Sequence, residues 1–375
     1  MKNIKLETIE LLEHLISCKS ETPDDGGLLD FAAKYLSDFE AVRIDKEGVK
    51  NLFLSKRFGD GAHLCFAGHV DVVPSGDGWS SDPYTLTHRD GYIYGRGTQD
   101  MKSGVCAQLQ ALRECEEFDG TLSLLLTSDE EGEAKYGTVI VLEYLKKHSL
   151  LPDAVVVAEP TCESEFGDAI KIGRRGSING ILTLQGTQGH AAYPDKSTNP
   201  IHQISHILPH IAGVDLDNGD QFFSPSKLVV CDIRSGLEVS NVTPDTLKMM
   251  FNIRNSTKTD ATDVKQFIAK WFKDTNYKLT LSQSAMPFIT KADSAIVRSL
   301  DSAIDSILHK TPAHSTAGGT SDARFIAQYG IDVVEFGVIN DTIHAIDERT
   351  TVNEVQNLHL IFAKMIKNYS KEMSC

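Results

Sequence analysis

Short apolar runs alternate with amphipathic stretches from Leu64 to about Ile172. LCFAGHV, TLSLLLTS and DAVVVAE are brief, nearly continuous and bounded by polar turn residues, which predicts strands buried on both faces. KSGVCAQLQALREC and TVIVLEYLKKH place apolar residues three and four apart, which predicts helices. The alternation predicts an α/β fold, a mixed, mostly parallel sheet sandwiched by helices. After GRRGS at Gly173 to Ser177 the period changes. Leu247, Met249, Phe251 and Ile253 alternate with Lys248, Met250, Asn252 and Arg254, a strand with one polar face. Two helices, around 200–211 and 263–272, are expected among several such strands. Helix and strand alternation returns after Met286-Pro287-Phe288, with DSAIVRSLDSAIDSILH as a helix and DVVEFGV as a buried strand. The expected organisation is therefore a discontinuous larger domain, 1–173 and 289–375, interrupted by a smaller α+β domain, 174–288. At the start, MKNIKLETIELLEHLIS sets Glu7, Glu10 and Glu13 among leucines and isoleucines at helical spacing, which predicts an amphipathic helix and not a signal peptide.

Composition narrows the function. The length of 375 residues suits two domains, and 41% hydrophobic content suits a globular chain. The net charge of -15, from 37 basic and 52 acidic residues, argues against a partner nucleic acid or an anionic membrane surface held by the overall field. No stretch approaches the roughly 18 uninterrupted apolar residues of a membrane span. The seven cysteines, Cys18, Cys65, Cys106, Cys115, Cys162, Cys231 and Cys375, form no CxxC and cannot all pair within the chain, so reduced thiols and a cytoplasmic location are expected.

The candidate chemistry gathers at predicted strand ends. His69 and Asp71 close LCFAGHV, two residues apart, so an extended backbone would put them on one face. Asp100 precedes a predicted helix, Glu130 and Glu131 follow TLSLLLTS, Glu159 follows AVVVA, and His344 comes shortly after VVEFGV. The carboxyl edge of an open α/β sheet is where ligands bind. Singly, each has an ordinary structural use: a hydrogen-bonded histidine, a helix cap at Asp100, solvated loop charge at Glu130-Glu131. Jointly, two imidazoles and several carboxylates form a mixed N/O donor set that suits zinc, and also cobalt or manganese.

GHVDVVPSGDGWSSDPY, YGRGTQDMKSG, TSDEEGEAKYGT, AEPT, GRRGS, QGHAAYP, GGTSDARF and a late histidine resemble, in order and spacing, the M20 family of dinuclear zinc amidohydrolases. The likeness spans nearly the whole chain. It implies two zinc ions per subunit, with cobalt possible in one site: His69 and Glu159 on one metal, Glu131 and His344 on the other, Asp100 bridging, and Asp71 behind His69 as acceptor of its second N–H. Glu130 is then left as general base. The likeness also implies a homodimer in which the inserted domain serves as lid and dimerisation element and supplies His190 to the neighbour's site as an oxyanion donor; read alone, His190 is an ordinary loop histidine. The substrate implied is N-succinyl-LL-2,6-diaminopimelate, on the route to lysine and peptidoglycan precursors. Arginine forks suit its carboxylates. Arg174 or Arg175 in GRRGS, and Arg254, are the candidates; the resemblance favours Arg174 and adds Tyr193, Asn241, Gly319, Thr320, Asn340 and Ser284, although MPFIT beside Ser284 departs from the family pattern. Other deacylases or peptidases of this scaffold, such as an acetylornithine deacetylase, are the nearest alternatives. A catalytically silent binding protein would be expected to have lost a ligand or the base.

Overall fold

A computed structural model describes residues 6–374. Contacts divide the chain into two compact units. One comprises the chain up to Gly173, Ile289–Ser315 and the chain from Ser321 onward; the other comprises Arg174–Phe288 and Thr316–Thr320. Residues 1–5 of the expected N-terminal helix lie outside the described residues, as does Cys375; within them the helix runs Thr8–Ser17 and buries Leu11, Leu12, Leu15 and Ile16.

The larger unit is built on an eight-stranded sheet. Its order is Glu40–Arg43, Asn51–Arg57, Thr121–Thr127, His63–His69, Ala154–Val157, Asp332–Glu335, Ala169–Lys171 and Ala313–Ser315. The four strands from Thr121–Thr127 to Asp332–Glu335 are mutually parallel, while antiparallel pairings occur on both sides of them. These parallel strands are buried nearly throughout, which is why their sequences run apolar without alternation. Helices Thr8–Ser17, Lys102–Arg113, Ala295–Leu308 and Val352–Met373 pack on one another, and Thr138–Lys147 lies against Thr121–Thr127. Lys102–Arg113 approaches the sheet so closely that a Cβ on Gly104 would sit 2.3 Å from the Ala158 carbonyl oxygen; only glycine permits that seat.

The smaller unit has a four-stranded sheet ordered Leu228–Ser235, Thr246–Ile253, Ser177–Gln185 and Tyr277–Ala285, with every pairing antiparallel. Leu247, Met249, Phe251 and Ile253 join Val264, Ile268 and Phe272 in its core, and Lys248 and Met250 are exposed. Helix Pro200–Ile207 begins on the Asn199 cap with proline in its first turn, and Ala261–Phe272 begins on a capping box between Asp260 and Asp263. No helix among the described residues is long and apolar enough to cross a membrane.

His63 opens a central parallel strand with its Nε2 2.7 Å from Ser123 Oγ. Burial drives its pKa down to about 4, against the opposing pull of Asp153. The unfolded chain therefore takes up this proton near pH 6.5 and the folded chain only near 4, so stability is lost as pH falls through that window. The ring is partly shielded, which makes about 3 kcal/mol a ceiling on the loss. Thermal unfolding between pH 7 and 4 should show a shallower fall in Tm for His63→Gln than for the parent chain; equal slopes would remove His63 from the account.

Candidate metal centre

Chain order scatters the donors, and the sheet collects them. His69 is the last residue of its strand, Glu130 and Glu131 follow Thr121–Thr127, and Glu159 follows Ala154–Val157. Register places His69 opposite Thr127 and Ala67 opposite Val157, so these parallel strands end together. Loops bring in Asp100, just ahead of helix Lys102–Arg113, and His344, whose φ of 59° lies in the left-handed region.

His69 Nε2 lies 3.0 Å from Asp100 Oδ1 and 3.8 Å from Glu159 Oε1. His344 Nε2 lies 2.9 Å from Glu131 Oε1 and 3.4 Å from Asp100 Oδ2. Asp100 thus turns one oxygen to each imidazole. His69, Asp100 and Glu131 each offer a ligand atom, all within 4.8 Å of one another. His69 Nδ1 lies 2.8 Å from the Asp71 carbonyl, which can only accept, so Nδ1 carries the hydrogen and Nε2 is the nitrogen left to a cation. Imidazole and carboxylate donors converging in this way fit a divalent metal.

Asp71 departs from the expected role. Its backbone carbonyl, not its carboxylate, takes the His69 N–H, and its Oδ1 stands 3.7 Å from Nδ1. The carboxylate instead accepts the backbone N–H of Glu131 at 3.1 Å and of Glu130 at 3.5 Å. It holds the turn that presents both glutamates, because that turn leaves its amides unpaired at the strand end.

Crowded negative charge sets the electrostatics. Burial opposes ionisation of Asp100, but hydrogen bonds from His344 and His69 outweigh it and hold the carboxyl well below its usual value. Burial would push His69 down, yet Asp100 and Glu159 lift it well above its ordinary value. Hydrogen bonds to Asp100 and Glu131 raise His344 to about 10. Burial raises Glu130 to about 8, with Asp322, Asp100 and Glu131 adding to it against His69. A cation taking these donors must displace imidazole protons, so loading weakens as pH falls.

The substrate candidates fall in both units. In the smaller one, His190 and Tyr193 stand with ring centroids 5.7 Å apart, and the Ala191 N–H donates to the Asn241 carbonyl at 3.0 Å, so these three are neighbours. Arg174 Nη1 donates to the Ala317 and Gly319 carbonyls, each at 3.2 Å, which places it beside Gly319 and Thr320. Arg254 is exposed at the end of Thr246–Ile253. Ser284 Oγ is engaged within the sheet, by the Ser177 carbonyl and the Asn179 amide. Asn340 belongs to the larger unit, where its N–H donates to the Cys162 carbonyl. Asp322 and Glu348 were not expected. Asp322 accepts from Thr138 Oγ1 at 2.6 Å and bears on Glu130; GGTSDARF contains it, but an aspartate before a helix reads as a cap. Glu348 is a buried glutamate inside a polar loop, for which no sequence signal exists.

The profile of peptidase family M20/M25/M40 matches residues 65–368. The chain belongs to this family. It is 63% identical to the succinyl-diaminopimelate desuccinylase of Sulfurimonas denitrificans over 97% of this chain and 100% of that one. It is 59% identical to the protein of that name from Sulfurovum sp. over 98% and 100%. Among solved structures, aminopeptidase PepT from Bacillus cereus superposes with a TM-score of 0.80 at 19% identity, covering 96% of this chain and 98% of that one, a likeness of fold.

Because Asp100 faces both imidazoles, Asp100→Ala should weaken divalent-metal binding more than His344→Ala, which leaves the His69 side of the cluster intact. Elemental measurement of metal per chain after dialysis checks this; equal losses in the two variants would contradict the bridging geometry.

Proposed function

We propose that this metal-dependent hydrolase cleaves the amide of N-succinyl-LL-2,6-diaminopimelate to succinate and LL-2,6-diaminopimelate, as a cytoplasmic homodimer with two zinc ions per subunit, one replaceable by cobalt. The observation that carries the substrate is the identity of 63% across essentially the whole chain to a protein named for this reaction. Free thiols at all six described cysteines suit a reducing compartment.

His69 and Glu159 would hold one ion, Glu131 and His344 the other, and Asp100 both. When bound, these ions supply Lewis acidity and lower the pKa of water. Glu130 is the carboxylate left over. Burial makes it more basic than an ordinary glutamate, which suits it to take a proton from the attacking water and deliver it to the leaving amine nitrogen. His190 Nδ1 accepts the Ala192 N–H at 3.1 Å, so Nε2 carries the hydrogen and is the donor presented outward, the form an oxyanion requires. Arg174, whose Nη1 donates to the Ala317 and Gly319 carbonyls, is the arginine whose chemistry suits a carboxylate, with Tyr193, Asn241, Arg254, Ser284, Gly319, Thr320 and Asn340 as further contacts.

Dimerisation has a surface suited to it. Leu228–Ser235 is an edge strand with Val229 and Ile233 exposed, and Leu237 and Val239 follow it, also exposed. An apolar open edge is a template for a second chain.

Zinc-loaded protein should release succinate from the diaminopimelate substrate far faster than acetate from acetylornithine, and Glu130→Gln should keep its metals while losing at least about a hundredfold in turnover. The reverse substrate preference would overturn the assignment. In sedimentation the parent chain should run as a dimer and Ile233→Asp as a monomer. Mixed dimers of Glu130→Gln with His190→Ala should regain about half the parent rate, since each contains one site with both residues intact; inert mixed dimers would rule out a histidine shared across the interface.

A further inference from the structure

Glu348 is completely buried, a costly place for a carboxylate unless every lone pair is used. Its Oε1 accepts the backbone N–H of Gln99 at 2.7 Å and of Asp100 at 3.1 Å. Its Oε2 accepts Arg96 Nη1 at 2.7 Å and the Gly97 N–H at 3.0 Å. One carboxylate therefore gathers three amides of the loop that ends in Asp100. Arg96 is also buried, and its Nη2 reaches the Ser75 carbonyl at 3.3 Å and the His344 carbonyl at 3.4 Å. Gln99 closes the frame, accepting the Thr342 N–H at 2.9 Å and donating to Asp341 Oδ1 at 2.6 Å. The main chain of two metal-ligand candidates, Asp100 and His344, is thus tied to a single buried ion pair.

We propose that Glu348, acting with Arg96, is a positioning residue that sets the separation of Asp100 from His344 and so shapes the metal site formed by Asp100, Glu131 and His344. It touches neither metal nor substrate. The inference rests on the metal assignments of the proposed function and adds the part that holds them in register. A merely structural staple would lower stability and leave the ligand field unchanged. A positioning role requires the ligand field to change, and more on the His344–Glu131 side than on the His69–Glu159 side, because Asp100 faces both while His344 is tied to the pair only there.

Glu348→Gln keeps the shape but replaces one acceptor with a donor, which faces either Arg96 or the loop amides. Titration of the metal-free chain with cobalt(II), followed by its visible absorption, reads the two sites separately from catalysis. The expected result is a second equivalent weakened about tenfold or more with a shifted spectrum, a smaller change in the first, and a fall in kcat with KM little changed. A core variant of matched Tm, such as Ile304→Val, should leave both spectra as in the parent. If Glu348→Gln does not fold, Arg96→Lys carries the test, because lysine keeps the charge on Glu348 but lacks the fork that also reaches the His344 carbonyl; the same change in the second equivalent is expected. A folded variant with parental affinity and spectrum at both equivalents overturns the proposal, as does a parent chain that takes up only one. A parent that binds two equivalents but releases no succinate defeats the substrate assignment alone, and the spectral comparison still decides Glu348.

Discussion

Carboxylates packed around two imidazoles cannot all remain ionised without positive charge among them. Asp100, Glu130, Glu131 and Glu159 are in that position, and much of the surrounding architecture follows from it. Protons drawn onto His69 and His344 are one source of compensation, and divalent cations are a stronger one. The sheet makes the crowding possible because its parallel strands end at a common edge, so residues far apart in sequence arrive together without long loops. The backbone then holds the acidic side chains in place, with amides directed to the Asp71 and Glu348 carboxylates and a carbonyl to His69.

The sequence revealed elements better than contacts. Continuous apolar runs such as TLSLLLTS are unambiguous because both faces of those strands are buried, and the alternation at Leu247 to Ile253 shows equally plainly a sheet with one open face. Resemblance carried the candidate ligands. What stayed hidden depends on where backbone groups end up. Nothing in GHVD tells whether the Asp71 carboxylate or its carbonyl will meet the His69 ring, since both lie within a few bonds of the same position. Nothing in HAIDERT marks Glu348 as buried, because its partners are main-chain amides that any sequence possesses. Thr316–Thr320 packs with the smaller unit although its neighbours in sequence belong to the larger one, a tertiary choice without a local signal. Met250 sits exposed where the polar face of a strand was expected.

The order of the central sheet also bears on how the chain comes into being. Asp332–Glu335 does not extend the sheet; it inserts between Ala154–Val157 and Ala169–Lys171. A nascent chain emerging amino end first completes His69, Asp100, Glu131 and Glu159 early, yet its sheet must wait with an open seam until Asp332–Glu335 arrives from much later in the sequence. The strand is therefore a keystone of the sheet, and the segment that closes the seam is followed within ten residues by His344, so the full donor set and the finished core depend on the same late stretch of chain.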